Sequence, residues 1–408
     1  MKNAQINGGV FGSTGSIMFG ISQAAQDARM ETLCFSPVTS TNRNREPGYP
    51  YRKIGTYRSR QLNVLLSRIT GFNSCFAWFS TAKLLREIRR FSPDVIQLHN
   101  LHDSYINLHL LFRFLKKRKI RTVWTLHDCW AFTGHCPHFT MAKCDKWKTG
   151  CHHCPQYREY PQSFVDNSRW MYWWKKKWFT GVEDLTIVTP SQWLADLVKE
   201  SFLKEYPVKV IHNGIDLGIF KPTESDFRQR YGIPEEKAVL LGVAFGWGVR
   251  KGLDVFVELA RRLDPEKYQI VLVGTDDKTD KLLPENIISI HRTQNQTQLA
   301  EIYTAADLFV NPTREENYPT VNMEAIACGT PVLTFRTGGS PEILDEKTGS
   351  VVPCDDVDAL EQEIHRICTE NPFSQADCLE RAKSFDMNER FEEYVKLYEE
   401  RSVGGVSL

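Results

Sequence analysis

The sequence contains no apolar run that approaches the ~20 residues a membrane-crossing helix needs. Its first residues, Met1-Lys2-Asn3-Ala4-Gln5-Ile6, lack the apolar core of a secretory signal, so the expected compartment is the cytoplasm. Net charge is also missing: 51 Lys+Arg stand against 50 Asp+Glu, +1 at pH 7, and no nucleic-acid partner is expected. Apolar content of 41% and charged content of 25% are ordinary for a water-soluble chain. What the chain does have is length, and 408 residues suggest two or three domains, each able to bury a core. In a reducing compartment its eleven cysteines read as free thiols or metal ligands before disulfides.

The near-zero net charge hides an asymmetry. Residues 1–205 hold 29 basic against 15 acidic side chains, and residues 206–408 hold 22 against 35. The split places a domain boundary near 205 and gives the halves different partners. A basic first half favours anionic lipid headgroups or a phosphorylated acceptor; mutual attraction of the two halves is the plainer alternative.

The most informative stretch is Thr313-Arg314-Glu315-Glu316-Asn317-Tyr318-Pro319-Thr320-Val321-Asn322-Met323-Glu324, followed by Ala325-Ile326-Ala327-Cys328-Gly329-Thr330-Pro331-Val332. Leu308-Phe309-Val310 before it reads as a buried strand that Pro312 ends. A helix is expected from about Pro319, with Gly329 as a left-handed cap and Val332–Phe335 as the next strand. Glu316 in the loop and Glu324 on the helix bracket a helix start whose N–H groups, at Thr320 and Val321, suit a phosphate. The flanking carboxylates suit sugar hydroxyls, at the carboxyl end of a parallel strand where such folds bind ligands.

Glu316-x7-Glu324 with Ala-Ile-Ala-Cys-Gly-Thr-Pro-Val resembles the signature of the retaining glycosyltransferases of family four. Within that family the likeness is greatest to the bacterial exopolysaccharide, colanic-acid-type branch, and it covers nearly the whole chain. It implies an α/β protein of the GT-B fold: two doubly wound Rossmann-like domains facing a cleft, with a C-terminal helix crossing back. The domains would be 1–205, acceptor-side; 206–385, nucleotide-sugar-binding; and 386–408, the crossover helix and tail.

In chain order, residues 6–15 form a glycine-rich loop before a helix near Ser13. The resemblance assigns Gly12 and Ser13, with Thr14 and Gly15, to a loop that reaches the donor. Lys2-Asn3-Ala4-Gln5 is polar where a central strand should be apolar, so the first strand is expected to be short or frayed. Residues 35–75 show little pattern, with a loop from Asn42 to Tyr51. Val95–Leu98 and Arg121–Leu126 read as strands ending in His99-Asn100 and His127-Asp128, which puts polar groups at one sheet edge. The family places a histidine matching His127 near the transferred sugar.

Val239–Ala244 reads as a strand, and Phe245-Gly-Trp-Gly-Val-Arg250-Lys251-Gly252 as a loop suited to a diphosphate. Lys251 matches the family lysine that neutralises that group. The family's arginine about six residues earlier is Phe245 here, and Arg250 is the adjacent substitute. The segment to Thr293 matches the base-binding edge. Asn317-Tyr318-Pro319 replaces the commoner Gly-Phe-Gly where the donor sugar should sit. Thr337–Glu342 reads as a further loop-to-helix phosphate element, and Met387–Glu400 as the acidic final helix.

Two features fall outside this pattern. Cys136, Cys144, Cys151 and Cys154, spaced C-x7-C-x6-C-x2-C, read as a tetrahedral structural zinc site, with free thiols and then disulfides as the alternatives. Leu108–Lys119 and Arg169–Phe179 mix apolar, tryptophan and lysine residues in a way that suits a membrane interface; a core helix with a solvated basic face is the alternative.

Together these imply a hexosyltransferase-type enzyme that takes a nucleoside diphosphate sugar and a glycan or lipid-linked acceptor. It would act in the cytoplasm, peripherally on the inner face of the membrane, with no catalytic metal. Lys251 would stabilise the leaving diphosphate, Glu316 hold the sugar hydroxyls and Glu324 those of the ribose. The alternatives are a nucleotide-binding pseudoenzyme of the same fold and a nucleotide-sugar epimerase.

Overall fold

A computed structural model describes residues 1–400, and the tail 401–408 lies outside the described residues. The chain forms two units, Met1–His212 with Asn388 onward, and Asn213–Met387. The first unit is built on β1 (Lys2–Ile6), β2 (Glu31–Pro37), β3 (Arg52–Ile54), β4 (Val95–Leu98), β5 (Arg121–Thr125), β6 (Leu185–Thr189) and β7 (Val208–Val210). The second is built on β8 (Ala238–Val243), β9 (Tyr268–Val273), β10 (Ile287–Ile290), β11 (Leu308–Asn311), β12 (Val332–Phe335) and β13 (Gly349–Val352).

Both sheets are parallel throughout, in the orders β3-β2-β1-β4-β5-β6-β7 and β10-β9-β8-β11-β12-β13. The expectation of two doubly wound α/β domains therefore holds. Parallel sheets need helices on both faces, which explains strands such as Val239-Leu240-Leu241 that are buried throughout. In each sheet the winding reverses once, between β1 and β4 and between β8 and β11. Such reversals leave a crevice at the strands' carboxyl ends, where doubly wound folds take ligands.

Three expectations need correction. The first strand is neither short nor frayed. β1 runs from Lys2 to Ile6 at the centre of its sheet, paired on both sides, with Asn3 and Gln5 fully buried. Its polarity belongs to a buried polar layer. Tyr398 Oη donates to Gln97 Oε1 at 3.0 Å, Gln97 Nε2 donates to Thr125 Oγ1 at 2.9 Å, and Thr125 lies 3.1 Å from the Tyr394 hydroxyl. Both tyrosines come from the final helix, Met387–Glu399, which packs on the first unit.

Next, the apparently patternless region 35–75 contains a helix, Tyr57–Thr70, opened by a capping box between Thr56 and Ser59. Its polar face masked the period. Finally, the first unit extends past residue 205, because β7 pairs with β6. The expected phosphate element at Thr337–Glu342 holds a helix of a single turn, Ser340–Ile343.

The tryptophan-rich helix Ser168–Phe179 is divided lengthwise. Met171, Tyr172, Lys175 and Phe179 are buried, while Trp170 and Trp173 are 58% and 47% exposed. Helix Leu108–Arg118 buries Leu108, Leu111, Phe112, Phe114 and Leu115. Among the described residues no helix is long and apolar enough to cross a membrane.

Candidate active site

In the second unit the loops after β8 and β11 meet where the winding reverses. The Arg314 N–H donates to the Arg250 carbonyl at 2.9 Å. Gly252, at φ 77°, lies so close that an added Cβ would stand 2.5 Å from the Pro312 carbonyl oxygen. Only glycine meets both demands, a left-handed backbone and a close approach. Arg314 then locks the junction. Its guanidinium makes two 2.8 Å bonds to Asp254, the second residue of helix Leu253–Arg262, and a 2.5 Å contact with Asp355. Sequence reading missed Arg314, whose place directly before the paired glutamates was its one signal.

This junction presents Lys251 to Glu316, Nζ to Oε2 at 2.5 Å, with both side chains about a quarter exposed (23% and 24%). Residues 65 apart in the chain thus form one ion pair, at the carboxyl edge of β8 and β11. The other Glu316 oxygen accepts the Asn317 N–H at 3.1 Å. Gly338, at φ 54°, packs against the Glu316 carbonyl, and the Gly339 N–H donates to the Asn317 carbonyl at 2.8 Å.

Helix Thr320–Ala327 starts immediately beyond, and its N-cap, Pro319, has no side chain able to close the first N–H groups. Thr320 and Val321 supply those groups, and both are half-buried. Glu324, one turn in, accepts from Tyr303 Oη at 3.1 Å and from the Thr320 hydroxyl. Burial pushes its carboxyl up to about 7, against the lowering pull of those two donors. Gly329 closes the helix at φ 88°, as expected.

Arg250 is exposed beside Lys251, and Phe245 is fully exposed in the expected arginine's place. Thr293 follows β10 at the same sheet edge, separated from the Lys251 loop by β9.

In the first unit the corresponding edge carries histidines. Gly12, at φ 78°, caps helix Ser13–Asp27 without a side-chain bond, and Ser13 is exposed at its start. His99 Nε2 faces Gln5 Oε1 at 3.1 Å, so that nitrogen carries the proton. His99 Nδ1 is then an acceptor, and His127 Nε2, 3.2 Å away, donates to it. Burial lowers both imidazoles, His127 to about 4, so the pair is neutral.

Beside them sits a charged group that sequence reading overlooked. His102 Nε2 pairs with Asp128 at 3.2 Å, its Nδ1 lies 2.9 Å from Tyr160 Oη, and Tyr160 donates to Asp103 at 2.6 Å. Burial alone would lower His102, but Asp128 and Asp103 outweigh it and hold the imidazolium up to about 10. The spacing His99-x2-His102-Asp103 was the available signal. Cys136, Cys144, Cys151 and Cys154 line one small hollow in this same unit.

Comparison with known proteins bears on the family and the fold. Residues 25–218 match the model of Glycosyltransferase Family 4, and residues 237–370 match that of Glycosyl transferases group 1. The chain is 28% identical over 335 residues to an Escherichia coli protein, WcaC, named as a colanic acid biosynthesis glycosyl transferase, across 78% of this chain and 79% of that one. Sucrose-phosphate synthase from Thermosynechococcus elongatus superposes with a TM-score of 0.70 at 18% identity, over 97% of this chain and 98% of the other. Anabaena HepE, solved in complex with UDP and glucose, gives 0.68 at 14%, over 97% and 99%. The two family matches, one in each half of the chain, and the structural likeness lead to one conclusion: the chain is a glycosyltransferase of the family-four, group 1 type with the GT-B fold.

Proposed function

We propose that the chain transfers a sugar from a nucleoside diphosphate sugar to a glycan or lipid-linked acceptor, with retention at the anomeric carbon, in bacterial polysaccharide synthesis. The observation that carries this is the Lys251–Glu316 pair beside the open start of helix Thr320–Ala327. Glu316 holds the Lys251 ammonium in place. A diphosphate arriving at the helix start competes for that cation, and Glu316 is released to accept bonds from the sugar hydroxyls. Lys251, the N–H groups of Thr320 and Val321, and the exposed Arg250 then stabilise charge as the diphosphate leaves. Glu324 takes the ribose hydroxyls, and Thr293 lies along the edge given to the base. Gly12 and Ser13 form a second loop toward the donor, and neutral His127 contacts the transferred sugar. The departing phosphate oxygen takes the acceptor proton, so no protein nucleophile is needed. With cationic side chains in these positions, no catalytic metal is called for.

The relative named for colanic acid biosynthesis supports the polysaccharide setting, and the likeness to a fold solved with UDP and glucose supports a nucleotide-sugar donor. A site at the membrane's inner face is supported by Trp170 and Trp173 standing exposed on a helix that also carries Lys176 and Lys177. Flotation with liposomes that rises with anionic lipid is the expected result.

A panel of UDP-, GDP- and ADP-sugars with lipid-linked acceptors tests the main proposal, with the product's anomeric configuration read by NMR. Retained-configuration transfer from one donor is expected; an inverted product would overturn retention. Phe245, fully exposed where the family carries arginine, favours a second function as a nucleotide-binding subunit without turnover. Donor binding without transfer or hydrolysis in the same panel would establish that instead, and an isomerised donor would point to an epimerase.

A further inference from the structure

Between β5 and helix Ser168–Phe179 the chain runs through residues 126–167 with two three-residue turns, Trp130–Phe132 and Lys146–Lys148, as its only regular structure. A connection this long inside a packed domain needs its own support. Part of it is aromatic: Phe132 and Phe139 pack on Trp147 with ring centroids 5.2 and 5.0 Å away. Beside that cluster lies a hollow of about 10 Å³, lined by Cys136, Cys144, Cys151, Cys154 and His135. All four cysteines are free.

Several features point to an occupant. His135 is 5% exposed, and its Nε2, on a ring that lines the hollow, has no hydrogen-bond partner. The ring bonds instead to the backbone carbonyls of Pro161 and Tyr157, the arrangement that leaves the remaining nitrogen a bare lone pair. The Gly134 N–H donates to Cys151 Sγ at 3.1 Å, which fixes that sulfur at the hollow. Lys146 Nζ holds the carbonyls of His152 and His153 at 3.1 Å each, clamping the turn between Cys151 and Cys154. Lys175 is wholly buried, and its Nζ donates to the Trp130 carbonyl in this segment.

We propose that this hollow binds one structural zinc-class ion through the thiolates of Cys136, Cys144, Cys151 and Cys154. Four thiolates form a closed tetrahedral set with no open position, which suits a structural ion, and the bare His135 nitrogen then lines the hollow outside that set. Binding releases the thiol protons as the sulfurs take the ion. Cys136 and Cys154 are already in side-chain hydrogen-bond contact, but no third sulfur joins them as closely: among the described residues, the one trio of ligand atoms within 4.8 Å of each other is Asp277, Asp280 and His291. That trio is at the surface, with Asp280 half-buried, is already joined by the His291–Asp280 pair, and carries nothing further. At the hollow, the ion draws the four side chains inward. It would anchor the segment that brings Tyr160 to His102 and Asp103, and so brace the wall beside His127.

The test uses the full chain, expressed in zinc-supplemented medium and purified with neither chelator nor metal-affinity resin. Elemental analysis is expected to give about one zinc per chain, and X-ray absorption a shell of sulfur. The double variant Cys151→Ser, Cys154→Ser should fall below about a tenth of that content, while Cys354→Ser, elsewhere and exposed, keeps it. Far less than stoichiometric metal in the wild-type chain overturns the site, as does an oxygen and nitrogen shell. Should the double variant fail to fold, the wild-type metal content and sulfur shell still decide.

Discussion

Lys251 and Glu316 form a partly covered pair, and each loses a neutralising partner if the other is removed. Glu316→Ala is expected to lower transferase turnover at least tenfold, about 1.4 kcal/mol in the barrier. Its melting temperature should hold near wild type. Unchanged turnover would remove Glu316 from the site. Glu324 offers a pH test. Burial raises its carboxyl from 4.5 to about 7, so it keeps its proton through that window. Ribose hydroxyls bind the ionised form, so donor affinity should rise with pH up to about 7 and then level off. Calorimetry in buffers of different ionisation heat should show proton release on binding at pH 6, absent in Glu324→Gln.

His102 works in the opposite sense. Its folded value of about 10 lies above the ordinary 6.5, so its contribution to stability is complete below 6.5 and is lost as pH rises toward 10. His102→Asn leaves buried Asp128 without its paired cation, while Asp103 keeps Arg60 at 3.8 Å, and should cost about 3–5 kcal/mol at pH 7. The variant's melting temperature should also change less than wild type's between pH 7 and 10.

At the scale of elements, the site is a property of loops held rigid by neighbouring loops. Gly338 shows this. An added Cβ would stand 1.8 Å from the Glu316 carbonyl oxygen, at a backbone angle that side chains disfavour. Gly338→Ala is expected to cost at least about 2 kcal/mol and to displace the Glu316 loop. Turnover should then fall beyond what the lost folded fraction explains, read by activity against circular dichroism. The strand and helix of this unit were legible beforehand, because Leu308-Phe309-Val310, Pro312 and Gly329 are local signals. The helix Tyr57–Thr70 was not, since its exposed polar face carries little period and only its capping box, Thr56 with Ser59, marked the start.

For the whole molecule, the final helix is what the first unit is finished with. Phe391 fills the space over Gly20, where a Cβ would meet its ring at 2.1 Å, and Tyr394 and Tyr398 bind the polar residues of β4 and β5. Tyr398→Phe leaves Gln97 Oε1 buried without its donor and should cost about 1–3 kcal/mol in denaturant unfolding. By itself the sequence indicated the fold class and singled out Lys251, Glu316 and Glu324 as candidates, because strand runs, helix caps and the motif that carries the family resemblance are all written in local order. It misread Lys2-Asn3-Ala4-Gln5, because polar side chains in a central strand make sense only once Tyr394, Tyr398 and His99 arrive from distant segments. Only the tertiary structure decided that Arg314 locks the two loops, that His99 orients His127, and that His102 is charged. Each depends on through-space distance and burial between groups far apart in the chain, and neither quantity is encoded in local order.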